Sequence, residues 1–170
     1  MAIGQVFIFM VAAITFAFIL IFGFQAITGF LEKGETVEFF QFKTDIENSV
    51  KRIYSEYGAV RNQEFSLPMD YEQICFVDLD HVPTPDELDG LCTKDQIACD
   101  VWESVLPPLG EGYESADQNV FLKPRSPVAI KVFQLEISSP ETNNGYLCKD
   151  IEKGKFTLRL EGRGSSTLIS

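Results

Sequence analysis

The first 31 residues carry no charged side chain, and the first charge along the chain is Glu32. As a helix this lead would measure roughly 46 Å, at about 1.5 Å per residue. A bilayer core takes about 20 apolar residues, so the stretch is expected to span one and project beyond it. A helix that is apolar on every side has to be covered, by lipid or by protein. A cleaved secretory signal is the competing assignment. It has a basic start, an apolar run of roughly 7–15 residues and small residues at its exit. Here Met1–Ile3 bring no basic side chain, the run is longer, and Phe24-Gln25-Ala26-Ile27 is a poor exit. Residues 1–31 are therefore expected to form a retained transmembrane helix.

After Gly34 the pattern changes. Phe39, Phe42, Ile46, Val50, Ile53 and Tyr57 follow one another at spacings of three or four, with charged and amide residues between them. That is one apolar stripe on a helix, expected over residues 32–58 and ending near Gly58. Such a helix needs cover on one face only. The two parts read either as one rod, bent at Gly29 or Gly34, or as two helices broken at "EKGE".

Residues 59–170 have a different period. "NQEFSLP", "EQICFVD", "PVAIKVFQLEIS", "GYLCKDI" and "GKFTLRLEG" read as short strands. Val128, Ile130 and Val132 alternate in one phase and Phe133, Leu135 and Ile137 in the other, which predicts a β-bulge. Turns are marked by Pro68, by "SSPETNNG" and by "EKG". An insertion at about 81–115 breaks the strand pattern. Thr84 before Pro85 starts one helix, and Asp95–Val105 reads as another, carrying Ile97, Trp102 and Val105. The fold class is α+β, with the striped helix packed on a mostly antiparallel sheet and a disulfide-stapled insertion.

Cys75, Cys92, Cys99 and Cys148 all lie beyond the apolar lead. Their even number fits disulfides in an oxidising compartment, and their spacing lacks the short gap of a zinc knuckle. Four cysteines allow three pairings. Cys92 with Cys99 and Cys75 with Cys148 is the favoured one; four buried thiols in a cytosolic domain is the competing state.

The chain carries 25 acids and 14 bases, a net charge of −11. That argues against a nucleic-acid partner, whose phosphates need Lys and Arg. His81 is the only histidine, and no G-x-S-x-G elbow accompanies it. "DLDHVPTPDELD" fails as an EF-hand, because Val82 and Pro83 stand where an acid or amide and a glycine are required. "GRGSST" is no phosphate loop. No catalytic residue, metal site or cofactor is expected, and the protein is read as a non-enzyme.

The apolar helix, its striped continuation and a β-rich domain together resemble type IV pilins and archaellin-like subunits. The likeness covers about the first 57 residues in pattern. The family's leader is basic and ends in Gly, whereas "MAIG" precedes Gln5 here without Lys or Arg. Processing after Gly4 would make Phe9 the fifth residue, where many bacterial members carry Glu and archaeal members often do not. The resemblance implies a helix that waits in the membrane and then packs among copies of itself in an extracellular filament. The expected self-association surface is the set of rings at Phe7, Phe9, Phe16, Phe18, Phe22, Phe24 and Phe30, with Gly23, Ala26 and Gly29 allowing close approach. Surface-layer or host-cell surface proteins are further expected partners. A single-pass anchored ectodomain that binds another surface or membrane protein is the alternative.

Overall fold

A computed structural model describes the backbone of residues 2–138 and 145–170, and in the first helix the side chains of residues 8–23, 34 and 36 onward. The helix α1 (Ala2–Tyr54) is followed by β1 (Val60–Ser66), β2 (Gln73–Val77), α2 (Pro85–Lys94), α3 (Gln96–Ser104), a 3₁₀ turn (Gly112–Ser115), β3 (Val120–Lys123), β4 (Leu135–Ile137), β5 (Tyr146–Asp150), β6 (Lys155–Gly162) and β7 (Thr167–Ile169). The class is α+β. The backbone stays helical through Gly29 and Gly34, with no break at "EKGE". The chain divides into two compact units, Met1–Glu38 and Phe39–Ser170.

In the second unit the stripe behaves as its spacing requires. Phe39, Phe42, Ile46, Val50 and Ile53 are each at most 2% exposed. They share one core with Phe65, Phe156, Leu158, Leu160 and Ile169 of the first sheet, whose strand order is β1-β6-β7-β4. Two polar ties fix the helix there. Gln63 Nε2 donates to Ser49 Oγ at 2.7 Å, and the buried Thr167 hydroxyl donates to the Val50 carbonyl at 3.1 Å. Gly162 allows the close approach, since a Cβ there would collide with the carbonyls of Ile53 and Glu56. Tyr57 departs from the stripe. The helix stops at Tyr54, Gly58 turns the chain at φ +77°, and Tyr57 is left 82% exposed.

The described strands make two sheets where one was expected. The second has the order β3-β2-β5 and is covered on both faces. Ile74, Phe76, Val120, Leu122 and Leu147 point into the core shared with α1. Cys75, Val77, Phe121 and Tyr146 point into a second core with Leu91, Ala98, Cys99, Trp102 and Val105 from the α2–α3 lobe. A strand buried on both faces reads as a continuous apolar run, which accounts for "ICFV".

The phase slip at Val132–Phe133 is a change of sheet rather than a bulge. Ile130 bridges to Val120 on the second sheet, while β4 joins the first, parallel to β7. Between them the Asn119 amide holds Val132 as a strand would, donating to its carbonyl at 3.1 Å and accepting its N–H at 2.8 Å. The other strand pairs are antiparallel. The insertion forms as expected. Thr84 closes a capping box with Glu87 at the start of α2, and Asp95 caps α3. Trp102 and Val105 are buried there, but Ile97 faces outward at 38% exposure. Most of the "SSPETNNG" turn lies outside the described residues.

Candidate interaction surface

In the first unit every residue from 8 to 22 is exposed. Ile8, Phe9, Met10, Val11, Ile14, Phe16, Phe18, Ile19, Leu20, Ile21 and Phe22 stand 45–69% accessible. Thr15 is the one polar side chain among them, and its hydroxyl donates back to the Val11 and Ala12 carbonyls at 3.0 Å. The segment therefore shows no unsatisfied polar side-chain group to water, lipid or protein. Its helical backbone also satisfies its own N–H and C=O groups, as an environment without water demands.

The rings are distributed over the helix. At about 100° per residue, Phe9 and Phe16 fall on one side and Phe18 and Phe22 on roughly the opposite side. The Phe18 and Phe22 rings stack on each other with centroids 6.1 Å apart. At Gly23 an added Cβ would meet nothing within 4 Å, so the chain itself makes no use of the small residue there. Of the ring positions read from the sequence, the side chains of Phe7, Phe24 and Phe30 lie outside the described residues, as do those of Ala26 and Gly29. Among the described residues no helix is long and apolar enough to cross a membrane.

The four cysteines pair in the favoured way, Cys75 with Cys148 and Cys92 with Cys99. Cys75 and Cys148 face each other in register on β2 and β5. All four belong to or pack against the second core, and the first core holds none. Among the described residues, the group of side chains with metal-ligand spacing is Cys99, Asp100 and Glu103. The Cys99 sulfur is bonded to Cys92 there and is not a thiolate ligand.

A polar constellation sits where β2 runs into α2, and only part of it was legible in the sequence. Asp78 Oδ1 accepts the N–H groups of Asp80 and His81 at 3.1 and 3.2 Å. Burial pushes the Asp78 carboxyl up to about 6, against the pull of those N–H groups and of His81, with the Asp80 charge adding to the rise. Glu87 Oε2 accepts from the Thr84 N–H at 2.7 Å and the Thr84 hydroxyl at 3.0 Å, and lies 3.3 Å from His81 Nε2. Burial alone would raise Glu87, but these partners outweigh it and hold the carboxyl below its usual value. The capping-box spacing of "TPDE" was a visible signal. The indole of Trp102, which donates to the His81 carbonyl at 3.1 Å, is 21 residues away and left no local trace.

Comparison with protein-family models, with curated proteins and with solved structures found no match.

Proposed function

We propose that this chain is a structural subunit of an extracellular, pilus-like filament, assembling through its apolar N-terminal helix and carrying the β-rich domain as a surface head. The observation behind this reading is the circumference of residues 8–22, exposed and apolar on every side. A helix that docks on one partner needs one apolar face. Ring pairs on opposite sides suit a core in which each helix meets neighbours in several directions, and aromatic pairs add about 0.5–1.5 kcal/mol each beyond buried area. Exposed apolar surface of this extent marks an interaction site. The two disulfides fit an oxidising exterior. In this reading residues 1–31 rest in the membrane before assembly, other copies of the chain are the main partners, and no catalysis, cofactor or nucleic acid is involved.

Replacing Phe16 and Phe22 by Leu tests it, since both changes leave the helix apolar. Loss of filaments or oligomers with membrane insertion unchanged is the expected result. Unchanged assembly after these and the remaining Phe-to-Leu changes would overturn the ring surface. A wild-type chain that stays monomeric in mild detergent and in surface fractions would instead indicate a single-pass anchored ectodomain.

A further inference from the structure

Three turns meet at the end of the second unit where Phe39 begins it. Residues 68–71 turn with the Tyr71 N–H donating to the Pro68 carbonyl at 3.3 Å, and Met69 at the tip is 82% exposed. Residues 152–155 turn with Glu152 and Lys155 exchanging both backbone hydrogen bonds at 3.0 Å, and Lys153 at the tip is exposed. The Leu67 N–H donates to the Gly154 carbonyl at 2.7 Å and so joins the two turns. A Cβ on Gly154 would stand 3.7 Å from Met69 Cγ. Residues 123–126 are tied in through Glu72, whose N–H donates to the Lys123 carbonyl at 2.8 Å and whose carbonyl accepts the Ile151 N–H at 2.7 Å. From α1, the Phe39 ring stands 6.0 Å from that of Tyr71, and Phe40 beside it is 47% exposed.

We propose that this end of the domain rests on the lipid headgroup layer, with Met69 and Phe40 entering the interface. The inference rests on the reading that residues 1–31 sit in the membrane before assembly. Residues 32–38 are then the whole tether between the lead and Phe39. Seven residues reach at most about 25 Å when fully extended, which keeps these turns beside the bilayer surface. The opposite end of the domain, where Gly162 admits the Ile53 carbonyl, is about 21 Å further along α1.

The backbone at Lys153 supports this. Its φ of +53° lies in the left-handed region, where Gly or Asn sits at lower cost. Gly154 has to be Gly, because a Cβ there would come within 2.5 Å of the Leu67 carbonyl. Packing makes no such demand for lysine at 153, whose side chain forms no ion pair or hydrogen bond among the described residues. Strained backbone of this kind is retained where a side chain is used. A lysine can lay its stem on lipid and leave its ammonium among the phosphates. Net charge does not drive the contact. The exposed bases Lys123, Arg125 and Lys153 are matched in number by the exposed acids Asp70, Glu72 and Glu152, whereas the chain as a whole carries −11. Headgroups without net charge therefore suffice, and burial of Met and Phe surface supplies the attraction.

NMR of the methionine methyls tests the contact, in the full chain reconstituted at one copy per phosphatidylcholine nanodisc. A water-soluble gadolinium chelate speeds the relaxation of every methyl that water reaches. Tyr57→Met supplies the reference methyl, because Tyr57 is as exposed as Met69, at 82%, and precedes Gly58, which is bonded to Gly162 at the opposite end of the domain. Met10, in the lead, should be protected, and Met69 should show a several-fold smaller enhancement than the reference methyl. A Met69 enhancement equal to the reference, with Met10 protected, would overturn the docking and leave the membrane reading standing. An unprotected Met10 would overturn both. Protection of Met69 that appears only in discs holding several copies would assign the surface to a second copy of the chain, and would also overturn the proposal. If Tyr57→Met does not fold, free methionine in the same sample serves as the uncovered reference.

Discussion

Val50 has no exposed surface, and its carbonyl accepts the buried hydroxyl of Thr167. Val50→Asp would place an unpaired charge between α1 and the first sheet. Such a change costs more than about 3 kcal/mol, and a large drop in melting temperature is expected from the full chain in detergent. Tyr57→Asp is the control. At 82% exposure it should stay within about 0.5 kcal/mol of wild type. A tolerant Val50→Asp would mean that the stripe faces something other than its own sheet. Five of the six stripe residues were legible from spacing alone, because a period near 3.6 fixes which side chains share a face. The sixth was not, because spacing carries no information on where a helix ends. Gly58 marked the turn, but the helix stops three residues before Tyr57.

At the level of elements, both disulfides serve one core. The loops they close span 7 and 73 residues, for which chain entropy gives about 2.4 and about 4.4 kcal/mol. The second core therefore depends on its bridges, while the first holds no cysteine and rests on apolar burial with the Gln63–Ser49 and Thr167–Val50 hydrogen bonds. Trp102, the only tryptophan, sits in the second core and reports on it. On reduction, its emission should shift to the red at lower urea than the helical circular dichroism is lost. Transitions that move together would show that the cores unfold as one unit. The sequence revealed α2 through its Thr84-Pro85 start, α3 through the apolar residues Ile97, Trp102 and Val105, and β6 through its alternation. It hid β3 and β7, because "VFLK" is buried on both faces and does not alternate, and "TLI" is too short to show a period. The crossing of residues 128–137 between sheets looked like a bulge because both produce the same one-residue slip. Only the Asn119 side chain, far from that segment's own pattern, distinguishes them.

Across the whole molecule, charge and grease are kept apart. Between Asp78 and Asp117 the only base besides His81 is Lys94, so much of the −11 net charge belongs to the lobe and its flanks. Like-charged lobes repel at short range and less so in salt. The lead is the part of the chain whose physical need is plainest, since residues 8–22 are apolar but for Thr15 and exposed among the described residues. The most direct measurement is electron microscopy of material sheared from the surface of cells producing the chain, labelled with antibody to the β-rich domain. If assembly runs through the apolar helix, labelled filaments should appear in the sheared fraction and vanish with the Phe16→Leu/Phe22→Leu chain. A chain found only as monomers in the detergent extract of the membrane, with no labelled filament in the sheared fraction, would contradict it.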